Sequence, residues 1–359
     1  MKIATLSNGA VVHTSRWVGH FRARGHDVRL FTLEAPPAPD ASVCMLPRLP
    51  LPGALRYPFA VPRLARELTA FAPDLVDAHY VPNYGLMAAL AGRHPFSVAA
   101  WGSDLLLAAG RDPWQRSRAR FVLTRADLVL CDAENLAAAA RSAGAPAERV
   151  RALPWGVDRA LFRPAASRER GLILSTRMHE HVYDLATVIA AAAPVLAARP
   201  EATLVLAGDG SLRSGLERLA AERLPPGRCR FVGRLTPQEM AGWLARAEVY
   251  VSASRSDSTS QSLLEAMAAG ALPVVSDIAG NREWVGEGDG ARLFAVGDAA
   301  GLTRALLLSL AADAWAGAAR ARNAATIEAR GDWHVNLARI EALFTALAAG
   351  RPLPPPEAR

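Results

Sequence analysis

Short apolar runs rich in Val, Ile and Leu alternate with longer amphipathic segments along most of the chain. Runs of four to eight such residues are typical of strands, and apolar positions three to four apart are typical of helices. Near the start, strand patterns at residues 3–6 and 28–32 flank a helical pattern at 15–24. Strands that alternate with helices favour a parallel sheet covered by helices, so the sequence predicts the α/β class.

The same alternation continues to the end of the chain. Further strands are predicted at residues 74–79, 98–105, 126–131, 150–153, 171–177, 203–208, 230–235, 249–251 and 272–275. Further helices are predicted at residues 63–71, 135–141, 185–198, 261–269, 299–310, 314–330 and 335–349. Residues 35–62 are rich in proline and are predicted as loops. The charged segment 165–170 is predicted to join two domains, 1–164 and 165–330. Residues 331–359 are predicted to form a last helix followed by a disordered tail.

One stretch, residues 249–275, carries the most specific chemistry. A strand runs into a polar loop, and the hydroxyl residues at 258–260 can cap a helix that ends at Gly270. The start of a helix offers free backbone N–H groups and a positive dipole end to an anion. Two carboxylates, Asp257 and Glu265, flank this start and suit a ligand with phosphates and hydroxyls. The alternative is an ordinary capped helix between two strands.

The residues from 263 onwards read Leu-Leu-Glu-Ala-Met-Ala-Ala-Gly and are followed by Pro-Val-Val at 273–275. This stretch resembles the signature of the retaining glycosyltransferases of family 4, which have the GT-B fold. Asp257 stands where the family usually has Glu, and Ser258 stands where it usually has Gly. The resemblance implies two Rossmann-like, doubly wound parallel-sheet domains that face a central cleft. The first would bind the acceptor and the second the nucleotide sugar, with the last helix crossing back onto the first.

Other segments extend the resemblance and imply site residues. The family ends a strand in an Arg, here Arg177, and places a Lys soon after it, which is absent here. Catalytic roles are implied for Asp257, Arg177 and His79. Donor binding is assigned to Glu265, Ser260, Gln261, Ser262, Gly208, Gly210, Gly233, Arg234, Leu235, Gly9 and Asn8. Acceptor binding is assigned to Asp104, to His13 and to Trp101, which stands where the family often has His.

Charge limits which groups could hold an anionic ligand. The chain has 359 residues, a net charge of +7 and a single lysine, Lys2. Phosphate contacts inside the fold must therefore come from Arg, His, hydroxyl or backbone groups. A positive balance suits anionic substrates or an anionic membrane surface. Nucleic acid is not expected as a partner, because no helix-turn-helix, zinc-finger or RNP-like pattern occurs.

Several patterns bear on location and cofactors. The three cysteines are widely spaced, which favours a reduced cytoplasmic setting, and no signal peptide or membrane-spanning run is predicted. Peripheral membrane contact is a further hypothesis, based on arginines interleaved with apolar residues at 56–68. The first βαβ unit lacks Gly-x-Gly-x-x-Gly, so a dinucleotide oxidoreductase is poorly supported. Neither a cofactor nor a metal site is predicted, and no Asp-x-Asp occurs.

The resemblance implies transfer of a sugar from a UDP- or GDP-sugar to a sugar, lipid-linked or small-molecule hydroxyl, with retention and without a metal. Two alternatives stay open. One is a GT-B sugar-nucleotide epimerase, which would need a further acid/base set. The other is a non-catalytic partner subunit with a decayed site, which the missing Lys, the missing His and the shortened acid would fit.

Overall fold

The computed structural model describes residues 1–38, 40–51, 55–108, 112–311 and 314–355. The chain forms two compact units, residues 1–154 with 337–359 and residues 155–336. Each unit is built on a seven-stranded sheet whose paired strands are parallel, as the alternation of strands and helices predicts. The division falls before residue 155, earlier than the join predicted at 165–170.

The first unit is a parallel sheet with helical connections. Its strands are β1 (Lys2–Leu6), β2 (Asp27–Thr32), β3 (Val43–Met45), β4 (Leu75–His79), β5 (Phe96–Ala99), β6 (Leu128–Cys131) and β7 (Val150–Ala152). Its helices include α1 (Val12–Ala23), α2 (Arg56–Phe71), α3 (Leu86–Ala91), α4 (Pro113–Leu123) and α5 (Glu134–Ser142). The strand order is β3-β2-β1-β4-β5-β6-β7. Strands β4, β5 and β6 are buried throughout, which is usual for a sheet covered on both faces.

The predicted loop at 35–62 is wrong in part, because β3 and the first residues of α2 lie within it. Proline at position 62 suggests a break, but α2 continues through it since its apolar face is buried in the core. Tyr57, Leu64 and Leu68 belong to that buried face, whereas Phe59 is exposed, so of the apolar residues in the predicted membrane-facing surface only Phe59 lies at the surface. Membrane contact of this segment stays a prediction. The predicted strand at 98–105 is also too long, since β5 ends at Ala99.

The second unit repeats the architecture. Its strands are β8 (Leu172–Ser175), β9 (Thr203–Ala207), β10 (Cys229–Gly233), β11 (Val249–Ser252), β12 (Leu272–Ser276), β13 (Gly286–Glu287) and β14 (Gly290–Phe294). Its helices include α6 (Leu185–Ala198), α7 (Arg213–Arg223), α8 (Pro237–Arg246), α9 (Gln261–Ala269), α10 (Ala279–Arg282), α11 (Ala299–Ala311) and α12 (Ala314–Arg330). The strand order is β10-β9-β8-β11-β12-β14-β13, which makes β8 and β11 central neighbours.

The last helix, α13 (Trp333–Ala348), belongs to the first unit from residue 337 onwards. There the Glu341 carboxylate lies 2.8 Å from the His26 ring, and Phe344 stacks on Phe21. Residues 352–355 have no regular structure, and residues 356–359 of the predicted disordered tail lie outside the described residues. None of the helices in the described ranges combines the length and hydropathy needed to cross a bilayer.

Candidate active site

The start of α9 lies at the carboxyl edge of the second sheet. Ser260 is its N-cap, with the Oγ 3.4 Å from the Leu263 amide, and Gly270 ends the helix with a φ of 79°. Gly270 suits this end because a residue with a side chain rarely adopts a left-handed conformation. The predicted bounds of this helix, 261–269, match α9.

Arg177 follows β8 and meets this helix start. Because β8 pairs with β11, the segments that follow the two strands come together. The Arg177 Nη1 donates to the hydroxyls of Ser260 and Ser262, each at 2.8 Å. Its Nη2 forms an ion pair with Asp257 at 2.6 Å, and its guanidinium lies 4.1 Å from the centre of the Tyr183 ring. The structure thus brings together four predicted site residues, which are Arg177, Asp257, Ser260 and Ser262. Tyr183, which was not predicted, lies beside them.

The environment keeps Arg177 charged although it is buried. Burial is the largest single influence and lowers the pKa of the guanidinium, but Asp257, Tyr250 and Tyr183 together outweigh it, so the pKa lies above its usual value. The cation and the positive end of α9 are therefore close to each other, with the Asp257 carboxylate beside them.

Several buried polar atoms beside Arg177 lack hydrogen-bond partners within the described part of the chain. They are the Arg177 Nε, the hydroxyls of Ser175 and Thr176, and both ring nitrogens of His179. Buried polar groups are nearly always satisfied, so a run of such atoms over residues 175–179 needs an explanation. Buried water or a bound polar ligand would supply the missing partners.

The glycine turn after β9 packs against the same segment. A Cβ atom at Gly208 would lie 2.7 Å from the Arg177 carbonyl oxygen, and one at Gly210 would lie 2.5 Å from the His179 carbonyl oxygen. The Gly208 amide also donates to the Gly233 carbonyl at 2.7 Å, which joins the ends of β9 and β10. The three predicted glycines therefore lie together, and two of them are needed for the close approach of the 177–180 backbone.

The remaining predicted donor residues of this unit have different surroundings. The side-chain amide nitrogen of Gln261 donates to the Gly156 carbonyl at 2.9 Å. Gln261 therefore holds the turn around Gly156 in place. Glu265 is half-buried, one helical turn after Gln261 on the same face of α9. Arg234 is exposed after β10, and Leu235 is partly buried.

Asn8 and Gly9 belong to the first unit, in the turn after β1. The Asn8 Oδ1 accepts from the Ala10 amide at 2.9 Å, and the Gly9 amide donates to the Thr32 hydroxyl at 2.9 Å. A Cβ atom at Gly9 would lie 2.5 Å from the Glu34 carbonyl oxygen. Gly9 therefore lets β1 and β2 continue into closely packed loops.

His79, at the end of β4, is fully buried in a hydrogen-bonded network. Its Nε2 lies 3.0 Å from the Asp77 carboxylate, and its Nδ1 accepts from the Trp101 indole at 3.3 Å. Asp77 also accepts from the Trp17 indole at 2.8 Å. Both ring nitrogens of His79 are therefore hydrogen-bonded, and the contact with Trp101 orients the indole. His79 would influence a ligand indirectly, by positioning Trp101.

His13 and Asp104 complete the predicted acceptor residues. The His13 ring meets the Trp101 ring edge-on, with 6.1 Å between ring centres. Burial, with Arg16 and His79 nearby, lowers the pKa of His13 to about 4. The Asp104 carboxylate accepts from the amides of Val81 and Trp101, each at 3.0 Å, and burial raises its pKa to about 6. Asp104 therefore holds the backbone around Trp101 in place.

The sequence alone does not single out Tyr183 or the hydroxyls of Ser175 and Thr176. Tyr183 lies in the region where the family has a lysine that this chain lacks. That position is the only feature of the sequence that could have pointed to Tyr183. Serine and threonine at a strand end are too common to single out. Within the described residues, no three His, Cys, Asp or Glu side chains are grouped in a way that could hold a metal ion.

Two family models match the chain, one in each unit. Residues 8–156 match the model described as glycosyl transferase 4-like domain. Residues 169–312 match the model described as glycosyl transferases group 1, which spans Arg177, Asp257 and α9. The two matches together cover most of the chain.

Relatives and solved structures agree with these matches. A GDP-mannose-dependent alpha-mannosyltransferase of Mycolicibacterium smegmatis is 28% identical over 312 residues, which are 77% of this chain and 78% of the relative. A phosphatidyl-myo-inositol mannosyltransferase of the same organism is 31% identical over 206 residues, 55% of this chain and 52% of the relative. The structure of a sucrose-phosphate synthase from Thermosynechococcus elongatus covers 98% of this chain and 100% of its own, with a TM-score of 0.85 at 20% identity. The chain is an enzyme of glycosyltransferase family 4 with the GT-B fold.

Proposed function

We propose that this glycosyltransferase moves a sugar from a nucleotide-diphosphate sugar to a hydroxyl acceptor, with retention at the anomeric carbon and without a metal ion. The buried Arg177 cation at the start of α9 is the main support. A diphosphate needs positive charge, and here a guanidinium and a helix dipole supply it in place of a lysine or a metal ion. The family signature supports retention.

In the proposed reaction, the bond between the sugar C1 and the leaving phosphate oxygen breaks while the acceptor oxygen bonds to C1. The acceptor proton passes to the leaving phosphate, so no protein base is required. Negative charge on that phosphate grows as the bond breaks, and Arg177 with the α9 amides stabilises it. Asp257 orients the sugar, and Glu265 accepts hydrogen bonds from the ribose hydroxyls.

GDP-mannose is the donor we propose. The names of several relatives state GDP-mannose dependence or mannosyl transfer, including one that covers 77% of this chain. The names of the relatives also include phosphatidylinositol acceptors. A polar lipid or a sugar with a free hydroxyl is accordingly the acceptor to test first.

The test is incubation of the purified chain with GDP-mannose and, separately, with UDP-glucose, in buffer with EDTA. Mass spectrometry would follow free nucleotide, sugar product and donor, and NMR of the product would assign its anomeric configuration. We expect GDP release with an α-linked mannosyl product or slow hydrolysis. Binding without release would favour a non-catalytic subunit, and an epimerised donor would favour the epimerase. Activity that EDTA abolishes and added Mg²⁺ restores would disprove metal independence.

A further inference from the structure

An apolar groove opens on the first unit between three helices. Its volume is about 320 Å³, within the ~300–1,000 Å³ usual for ligand pockets. It is lined by Leu55, Pro58, Leu86, Leu90, Trp114, Ser117, Arg118 and Phe121. Several of these side chains are exposed, and Trp114 most of all, at 62%. A concave apolar groove of this size is a candidate ligand site.

The groove runs along α4 from Trp114 to Phe121, and one end of it lies near the edge of the sheet that carries the predicted acceptor residues. In a parallel sheet each connecting helix starts near the carboxyl end of one strand and leads back to the amino end of the next. Leu55, Leu86 and Trp114 lie at the starts of α2, α3 and α4. Those starts face the same edge as Trp101, which follows β5.

The lining leaves almost nothing for a sugar or a base to bind. Only Ser117 and Arg118 are polar among the lining residues. The Arg118 guanidinium already donates to the Pro82 carbonyl and, at 3.3 Å, to the Gln115 side chain. A hydrocarbon chain fits such a lining, because it buries apolar surface and needs no hydrogen bonds.

The positive charge of Arg118 indicates that the polar end of the ligand is an anion. Arg118 is buried, with 6% exposed, and forms no ion pair with a carboxylate in the described ranges. A buried charge is costly without a counter-ion, so an anion beside Arg118 would be favoured. Helix α4 carries three arginines and no acidic residue, and the Arg125 guanidinium lies 3.7 Å from the centre of the Phe121 ring.

We propose that this groove binds one acyl chain of an anionic lipid, whose negative head group lies within reach of Arg118. Lipid binding is independent of the proposed transfer, whereas use of this lipid as the acceptor rests on it. A membrane-bound substrate would then reach the protein beside the carboxyl edge of the first sheet.

The test is calorimetry without any sugar donor, so its outcome does not depend on the proposed transfer. The probes are lysophosphatidylglycerol and lysophosphatidylcholine with the same twelve-carbon chain, below their micelle concentrations. We expect the anionic lipid to bind at least tenfold more tightly. Trp114→Gln and Leu90→Gln should each weaken binding at least tenfold, whereas Leu308→Gln, an equally exposed apolar residue of the second unit, should not.

The charge contribution is tested separately. Arg118→Gln should abolish the preference for the anionic lipid. Thermal unfolding of this variant would check that it is folded. Arg218→Gln, on the exposed face of α7, is the control. Equal affinity of the two lipids for the unmodified protein, or unchanged binding by the Trp114 and Leu90 variants, would overturn the proposal. Loss of self-association in those variants, without lipid binding in any, would show that a second copy covers the groove instead.

Discussion

The Arg177 guanidinium and the Asp257 carboxylate form an ion pair at 2.6 Å, although 80 residues separate them in sequence. The pair holds the cation at the start of α9. In the proposed donor complex, Asp257 and the diphosphate would share the same positive group.

Replacing Arg177 with Ala should lower kcat of sugar transfer by about 100-fold or more, the scale seen when one donor to developing charge is removed. Donor binding should fall less, because charge on the leaving phosphate is larger in the transition state than in the ground state. Steady-state kinetics with the identified donor would measure both, and Arg218→Ala on α7 is the control. Near-normal turnover would show that another group holds the diphosphate.

Replacing Asp257 with Asn should destabilise the protein and make it respond more to nucleotide. Loss of the carboxylate leaves the buried Arg177 charge uncompensated, and we expect a cost of about 3 kcal/mol, the lower end for breaking a buried pair. GDP should then raise the unfolding temperature more in the variant than in the unmodified protein, since its phosphates replace the lost charge.

The matched control for that experiment is Asp277→Asn. Asp277 pairs with Arg282 at 2.6 Å on the surface, where an ion pair contributes only about 0–1 kcal/mol. The two variants should therefore differ clearly in thermal unfolding. An equal effect of GDP on both would show that the nucleotide does not contact Arg177.

Replacing Glu265 with Gln should weaken GDP binding by about tenfold, because a hydrogen bond to a charged group contributes about 1.5–3 kcal/mol. The change keeps the size of the side chain and one acceptor oxygen, so α9 should remain folded. Calorimetry with GDP measures the effect, and Glu222→Gln on α7 is an exposed control. Unchanged affinity would remove Glu265 from the ribose site.

Replacing Gly210 with Ala should disturb the donor site through the backbone. The new Cβ atom would lie 2.5 Å from the His179 carbonyl oxygen, so the 177–180 segment would have to move. We expect a lower unfolding temperature and weaker GDP binding. Gly215→Ala in α7 meets nothing within 4 Å and should be neutral or stabilising, by up to about 1 kcal/mol. Similar results for both variants would contradict the packing argument.

Stability should fall in mild acid because of His13. Its pKa is lowered by burial from 6.5 to about 4, so the unfolded chain binds the proton more readily between these values. The contribution of His13 is complete above pH 6.5 and decreases by about 3 kcal/mol as the pH falls to about 4. Urea unfolding of the unmodified protein and of His13→Gln would be measured across this pH range. The free energy of unfolding should fall more steeply with acid in the unmodified protein than in the variant. Parallel pH profiles would contradict the prediction.

The hydrophobic pattern predicted much of the fold correctly because it repeats at the period of strands and helices. Helices α6 and α9 have the predicted bounds. The pattern gave no prediction of α3, α4, α7 and α8, and it missed the start of α2, where Pro62 suggests a break that packing overrides. Local signals there compete with contacts to distant residues, which a linear pattern does not contain.

The sequence by itself determined the α/β class, the capped helix of residues 261–269, the family signature and the importance of arginine in a chain with one lysine. Only the tertiary structure decided that Arg177 is paired with Asp257, that His79 is shielded by Trp101, and that three helices enclose an apolar groove. The physical reason is that capping and amphipathicity act between residues a few positions apart. Ion pairing, shielding and groove formation depend on which strands are neighbours in the sheet.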